Sequence, residues 1–194
     1  MAKLYFRYGA MNCGKSTAIM QVGYNYYERG MNAVIMKPMV DTKGDNKVVS
    51  RLGIDKPVDF LVGNDDDVFE MIDLYQKENK KIDCLLVDEV QFFRSYHIDQ
   101  MLKVAVTLNI PVICYGLRTD FLMNGFEGSQ RLLLIAHTIE ELKTICTCGR
   151  KATLNGRKVN GKYVFEGEQV AIDGENHVEY QSLCTSCYFE YRGE

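Results

Sequence analysis

The stretch that most constrains this chain is GAMNCGKST, Gly9 to Thr17, set directly behind the apolar run LYFRY. It matches GxxxxGK[ST], the pattern in which a strand feeds a glycine-rich turn that opens a helix. Glycines let backbone N–H groups turn onto phosphate oxygens, Lys15 can reach the β and γ phosphates, and Ser16 can offer a hydroxyl to magnesium. Gly9, Asn12, Gly14, Lys15, Ser16 and Thr17 are therefore the nucleotide-holding candidates. The plainer alternative is a tight turn with a solvated lysine, and the flanking strand and helix argue against it.

At 194 residues the chain suits about one domain with a small appendage. Up to about residue 143, short apolar runs alternate with helical patterns, the signature of an α/β fold with a parallel sheet wrapped by helices. Strands are expected at KLYFRY, NAVIMK, DCLLVDE and IPVICYG, with helices over residues 16–29, 64–81 and 95–109 between them. Two regions break the pattern: residues 39–57, rich in charge and glycine, and residues 118–129, which read as a loop. Loops over the carboxyl ends of parallel strands are where such folds hold substrates. After Lys143 short strand-like pieces, KYVFEGEQVAI and VEYQSL, lie between two cysteine pairs. The expected division is an α/β domain over residues 1–143 and a small β lobe over 144–194.

The second chemical signal is IDCLLVDEVQFF, an apolar run ending in Asp88 in the manner of a Walker B strand, whose aspartate holds magnesium. If the strand continues regularly, Asp88 and Glu89 point to opposite faces, so one serves the metal and the other a second partner. Glu89 is then available as a general base acting on a hydroxyl, as in a kinase, or on water, as in an ATPase. Two solvated acids at a strand end are the bland alternative.

Cys146, Cys148, Cys184 and Cys187 form the third signal: four thiolates hold zinc tetrahedrally in a closed, structural site. CxC in the first pair is one residue short of the usual CxxC and could strain the turn, making Cys146 or Cys148 an imperfect ligand. Cys13, Cys84 and Cys114 read as packing residues, and His97, His137 and His177 have no spacing suited to a metal. A net charge of −3 offers no broad basic field for nucleic acid. No apolar stretch approaches a membrane span, and MAKLYF does not read as a secretion signal, so no membrane association and a cytoplasmic location are expected.

GAMNCGKST, VDEVQFF, YGLRTDF with GFEGS, and the two cysteine pairs together resemble the zinc-containing (type II) thymidine kinases of the cellular and bacterial class, over almost the whole chain. The resemblance implies a P-loop, RecA-like sheet and a zinc lobe carrying a lasso loop. It implies ATP and magnesium at the phosphate loop with Asp88 and Gln91 beside it, and Glu89 taking the proton from the 5′-hydroxyl of thymidine. It further implies a thymine pocket of Met11, Phe92, Leu117, Phe121 and Phe126, with Asn155 and Tyr180 as further nucleoside contacts. A homotetramer and feedback inhibition by thymidine triphosphate are implied in the same way. The chain departs from the family pattern at DTK, where Lys43 replaces an arginine, at AIDG, where Asp173 replaces a glycine, and at CxC. Two rivals remain: a P-loop ATPase remodelling a macromolecular partner, with Glu89 activating water, and a zinc-ribbon binding module whose nucleotide is only regulatory. The acidic balance argues against a nucleic-acid motor, and the chain length leaves little room for a partner-binding domain.

Overall fold

The computed structural model describes residues 1–39, 47–49, 55–78, 81–169 and 177–194; Lys43 and Asp173 lie outside the described residues. From the N-terminus the chain forms β1 (Leu4–Gly9), α1 (Lys15–Tyr27) and β2 (Ala33–Pro38), then β3 (Lys47–Val49), β4 (Asp55–Pro57) and β5 (Phe60–Val62). There follow α2 (Val68–Lys77), β6 (Cys84–Val87), a 3-10 turn at Val90–Phe92, α3 (Ser95–Thr107), β7 (Val112–Leu117), α4 (Glu127–Ile135) and β8 (Thr138–Glu141). Six strands make one parallel sheet in the order β5-β2-β6-β7-β1-β8. β7 lies between β1, which runs into the phosphate loop, and β6, which ends at Asp88. Parallel strands open at one edge, so both motifs emerge on the same side of the sheet.

The central strands are apolar without a break because both sheet faces are covered. Along β6 the side chains alternate between two cores. Leu85 and Val87 pack with Ile72, Ile98 and Met101 of α2 and α3, while Cys84 and Leu86 pack with Ile19 of α1 and Ile35 of β2. Each fully buried aliphatic side chain contributes about 1.5–3 kcal/mol relative to exposure. α2 starts at Asp67, whose carboxylate accepts from the Glu70 N–H at 2.9 Å, and its charges suit the dipole, with Glu70 in the first turn and Lys77 in the last.

Beyond the sheet, β9 (Thr144–Ile145) pairs with β10 (Lys151–Ala152), and β11 (Leu154–Val159) lies between β12 (Lys162–Val164) and β13 (Val178–Leu183), all antiparallel. α5 (Thr185–Arg192) closes the chain. This region has a hydrophobic cluster of its own, including Leu154, Leu183, Tyr188 and three of the cysteines.

Several expectations need correcting. Residues 127–129, read as the end of a loop, open α4. Gly128 and Ser129 weaken the helical signal there, and Gly128 is present because a β-carbon would stand 2.4 Å from the Val90 carbonyl oxygen. Residues 39–57 include the antiparallel strand pair β3 and β4. β8 was hidden by its charge: TIEE is an exposed edge strand, where charged residues are at home. Of KYVFEGEQVAI only Lys162–Val164 is strand; residues 165–169 are not, and 170–172 lie outside the described residues. Among the described residues no helix is long and apolar enough to cross a membrane.

Candidate active site and metal centre

The phosphate loop begins where β1 stops. A β-carbon on Gly9 would lie 2.3 Å from Cys13 Sγ and 2.7 Å from the Leu142 carbonyl oxygen, so the strand can turn there only without a side chain. Asn12 and Gly14 take left-handed backbone angles, φ 64° and 85°, and swing the chain into α1. The Gly14 carbonyl accepts the first helical bond, from the Ala18 N–H at 2.9 Å. N–H groups at a helix start have no partner within the helix and with the dipole form an anion site. Lys15, the first residue of α1, is largely buried and folds its ammonium back over the loop, donating to the Ala10 carbonyl at 3.1 Å.

Across the sheet, β6 ends at Val87, and the Asp88 N–H bonds the Met36 carbonyl at 2.9 Å. Glu89 then adopts φ 47°, so the strand does not continue and the expected opposite-face alternation of the two acids does not apply. A left-handed turn separates them instead, with the Glu89 N–H donating to Asp88 Oδ1 at 3.0 Å. Asp88 is only 3% exposed. Burial first, and then the charge of Glu89, push its pKa up; the Glu89 N–H and the charges of Lys15 and Lys37 pull it back. Asp88 is thus electrostatically tied to Lys15 of the phosphate loop and to Glu89 at once. Lys37 is a buried cation that the sequence reading did not single out. Its signal was a lysine in the apolar strand AVIMKP.

Gln91, also buried, donates from Nε2 to Glu89 Oε2 at 2.6 Å and accepts at Oε1 from the Leu117 N–H at 3.1 Å. The ring of Phe92 meets that of Phe126 edge-on at a centroid distance of 5.7 Å. The Asn155 side chain accepts from the Met11 N–H at 2.7 Å and donates to the Thr119 carbonyl at 2.8 Å. Asn12 Nδ2 reaches the Tyr180 carbonyl at 3.3 Å. Phe121 is buried beneath the guanidinium of Arg157, which stands 3.6 Å from the ring centroid and donates from Nε to Tyr180 Oη at 3.1 Å. A cavity of about 420 Å³ opens beside Met11, Asn12, Lys158, Tyr180 and Gln181.

Direct contacts therefore join Met11 to Asn155, Asn12 to Tyr180, and Phe92 to Phe126. Leu117 is linked through Gln91, and Phe121 through Arg157. Arg157 was missed by sequence reasoning. It stands two residues after Asn155 in β11, so period-two alternation puts both on one face, the signal that could have found it.

The sulfur atoms of Cys146, Cys148, Cys184 and Cys187 all lie within 4.8 Å of one another, and Cys148 Sγ is 3.5 Å from Cys184 Sγ. A tetrahedron of Zn–S bonds near 2.3 Å places its sulfurs about 3.8 Å apart, so the four-cysteine group fits zinc. The short CxC spacing does not keep either thiol away. A turn closed by the Gly149 N–H on the Cys146 carbonyl at 2.9 Å, with Gly149 at φ 84°, brings both in. From the other side Cys184 caps α5, accepting from the Cys187 N–H at 3.5 Å. Burial alone would raise the Cys146 thiol, but N–H groups of Cys148 and Cys184 draw it below its ordinary value, toward the thiolate that binds metal.

The chain is similar to known proteins over nearly its whole length. A family model described as thymidine kinase matches residues 2–188. A thymidine kinase of Shewanella oneidensis is 46% identical over 193 residues, 98% of each chain. One from Haemophilus influenzae is 45% identical over 196 residues, 100% of each, and one from Francisella tularensis subsp. holarctica is 44% identical over 189 residues, 95% of each.

Proposed function

Because this chain belongs to the thymidine kinase family, we propose that it transfers the γ-phosphoryl group of ATP to the 5′-hydroxyl of thymidine, with Glu89 as the general base. The observation that carries this reading is the buried Asp88 at the end of β6, bonded to the Glu89 N–H, at the same edge of the parallel sheet from which β1 runs into the phosphate loop. Gly9, Asn12, Gly14 and Thr17 shape or open the anion site at the start of α1, and Lys15 neutralises the phosphate tail. Ser16 and Asp88 are the residues that would hold magnesium, which offsets charge on the triphosphate when bound. Glu89 removes the hydroxyl proton as the sugar oxygen forms its bond to the γ phosphorus. The bond to the bridging oxygen breaks, and ADP leaves with that electron pair.

The nucleoside is placed between the apolar side of Met11, Phe92, Leu117, Phe121 and Phe126 and the polar side of Asn155 and Tyr180. Zinc serves the C-terminal lobe structurally, which matches a division at residues 143 and 144 and the separate hydrophobic cluster there. Assembly as a homotetramer, inhibition by thymidine triphosphate and a cytoplasmic location belong to the same reading.

The test is to incubate protein, ATP and magnesium with and without thymidine. Thymidine-dependent formation of ADP and thymidine monophosphate is expected. Nucleoside-independent hydrolysis with no thymidine monophosphate would instead support a P-loop ATPase.

A further inference from the structure

Glu89 holds a backbone conformation that non-glycine residues rarely adopt. Such a conformation persists only where the surroundings over-determine it, and it is common at working sites. Two close approaches confine the turn that follows. On one side is Gly116 of β7, where a β-carbon would lie 2.6 Å from Gln91 Oε1 and 2.8 Å from a Val90 methyl carbon. On the other is Gly128 of α4, where a β-carbon would lie 2.4 Å from the Val90 carbonyl oxygen and 2.8 Å from that of Phe93. Residues 90–93 are therefore gripped between a strand and a helix at two positions that carry no side chain.

Within that grip the Gln91 amide has one workable orientation. The Leu117 N–H is a donor and needs the oxygen end, which leaves the NH₂ end facing the Glu89 carboxylate. Reversing the amide would set a donor against a donor and an oxygen against a carboxylate oxygen. The amide is thus polarised by a backbone group of β7 and passes that order on to Glu89.

We infer that Gln91 is a positioning residue that aims the Glu89 carboxylate at the reacting hydroxyl, and that the bare Gly116 and Gly128 provide the room for it. The inference rests on the assignment of Glu89 as the base. It differs from a nucleotide contact for Gln91, because its effect passes through Glu89 alone. It also ties the aim of the base to Leu117, a residue assigned to the nucleoside pocket, through one hydrogen bond.

The test is a double-mutant cycle in the full chain with Glu89→Gln, Gln91→Met and the pair. It reads kcat and KM separately for thymidine and ATP, with thermal unfolding as a check of folding. Gln91→Met keeps the length and removes both hydrogen-bonding ends. The expected result is a kcat loss of roughly 10–100-fold from misplacing the base. Both KM values should stay within about twofold, the mark of a transition-state effect. In the Glu89→Gln background the Gln91 change should cost nothing further, because residues that act through one another are not additive. Gly116→Ala, which crowds the amide oxygen and the Val90 methyl while leaving the Gln91 side chain itself unaltered, should give the same pattern, and it decides the question if Gln91→Met fails to fold.

A normal kcat in Gln91→Met overturns the inference. So does a raised KM for ATP, or an equal loss with and without Glu89. Near-normal turnover of Glu89→Gln by itself overturns the base assignment, and that outcome is separate from an intact Glu89 effect to which Gln91 proves uncoupled.

Discussion

The backbone N–H of Met11 donates to Asn155 Oδ1 at 2.7 Å, joining the phosphate loop to β11 across 144 residues of chain. The other end of that amide holds the Thr119 carbonyl at 2.8 Å, so three segments meet at one buried side chain. Asn155→Ala strands the partners of both bonds. The expected cost is about 1–3 kcal/mol for unsatisfied buried groups, seen as a melting midpoint lower by about 2–4 °C per kcal/mol. The KM for thymidine should rise more than kcat falls, since the change loosens a binding wall rather than the base.

Glu89→Gln keeps the length of the side chain and its bond to Gln91 in altered form, but removes the proton acceptor. Turnover should fall by roughly 10²–10⁴-fold, the usual contribution of a general base. ATP binding by calorimetry should be nearly unchanged. Turnover close to that of the unaltered protein would remove Glu89 from the role.

One zinc per chain is expected by elemental analysis, because four thiolates fill one tetrahedral site. Stripping the metal with a chelator should lower the unfolding midpoint and release the packing of Tyr188 and Leu183 around the cysteines. A metal-free preparation with an unchanged midpoint would exclude the zinc assignment.

Gly128→Ala adds a methyl group against the backbone of the turn after Glu89, where no flexible side-chain end can move aside. The expected loss is about 1–3 kcal/mol of stability from overpacking, accompanied by lower kcat. Gly161→Ala is the control: φ is 80°, but nothing stands within 4 Å of the new β-carbon. It should show backbone strain and retain activity.

His97 offers a pH test. It is only 2% exposed, Nδ1 accepts from the Arg94 N–H at 3.3 Å, and Nε2 has no hydrogen-bond partner among the described residues. Burial pushes its pKa below the usual 6.5; neighbouring Asp66 and Glu127 pull upward without reversing it, and Arg94 adds to the lowering. The unfolded chain therefore binds the proton more readily. This stabilising contribution is complete above pH 6.5 and is lost as the pH falls through the lower folded-state value. The urea midpoint should decline across that window, and His97→Gln should flatten the decline.

The phosphate loop, the strand ending in Asp88, helices α1, α2 and α3 and the cysteine pairs were legible because each is written in local periodicity or spacing. What hid the rest is also physical. Gly128 disguised α4 because its glycine answers to the Val90 carbonyl rather than to helix propensity. LNGRKV looked polar because Asn155 and Arg157 are buried among hydrogen-bond partners that lie far away in sequence. The α5 helix was obscured by zinc-type spacing, its cap being Cys184 itself.

The sequence alone determined the kind of chemistry: a strand–turn–helix that collects amides, an aspartate at the end of a buried strand, and four thiols in two close pairs. Local residue order suffices for these, because each depends on neighbours a few positions apart. Only the tertiary structure decided the left-handed turn at Glu89, the orientation of Gln91 and the meeting of Met11 with Asn155. Those depend on how closely two glycines let β7 and α4 approach the turn, and on hydrogen bonds between segments that no local pattern connects.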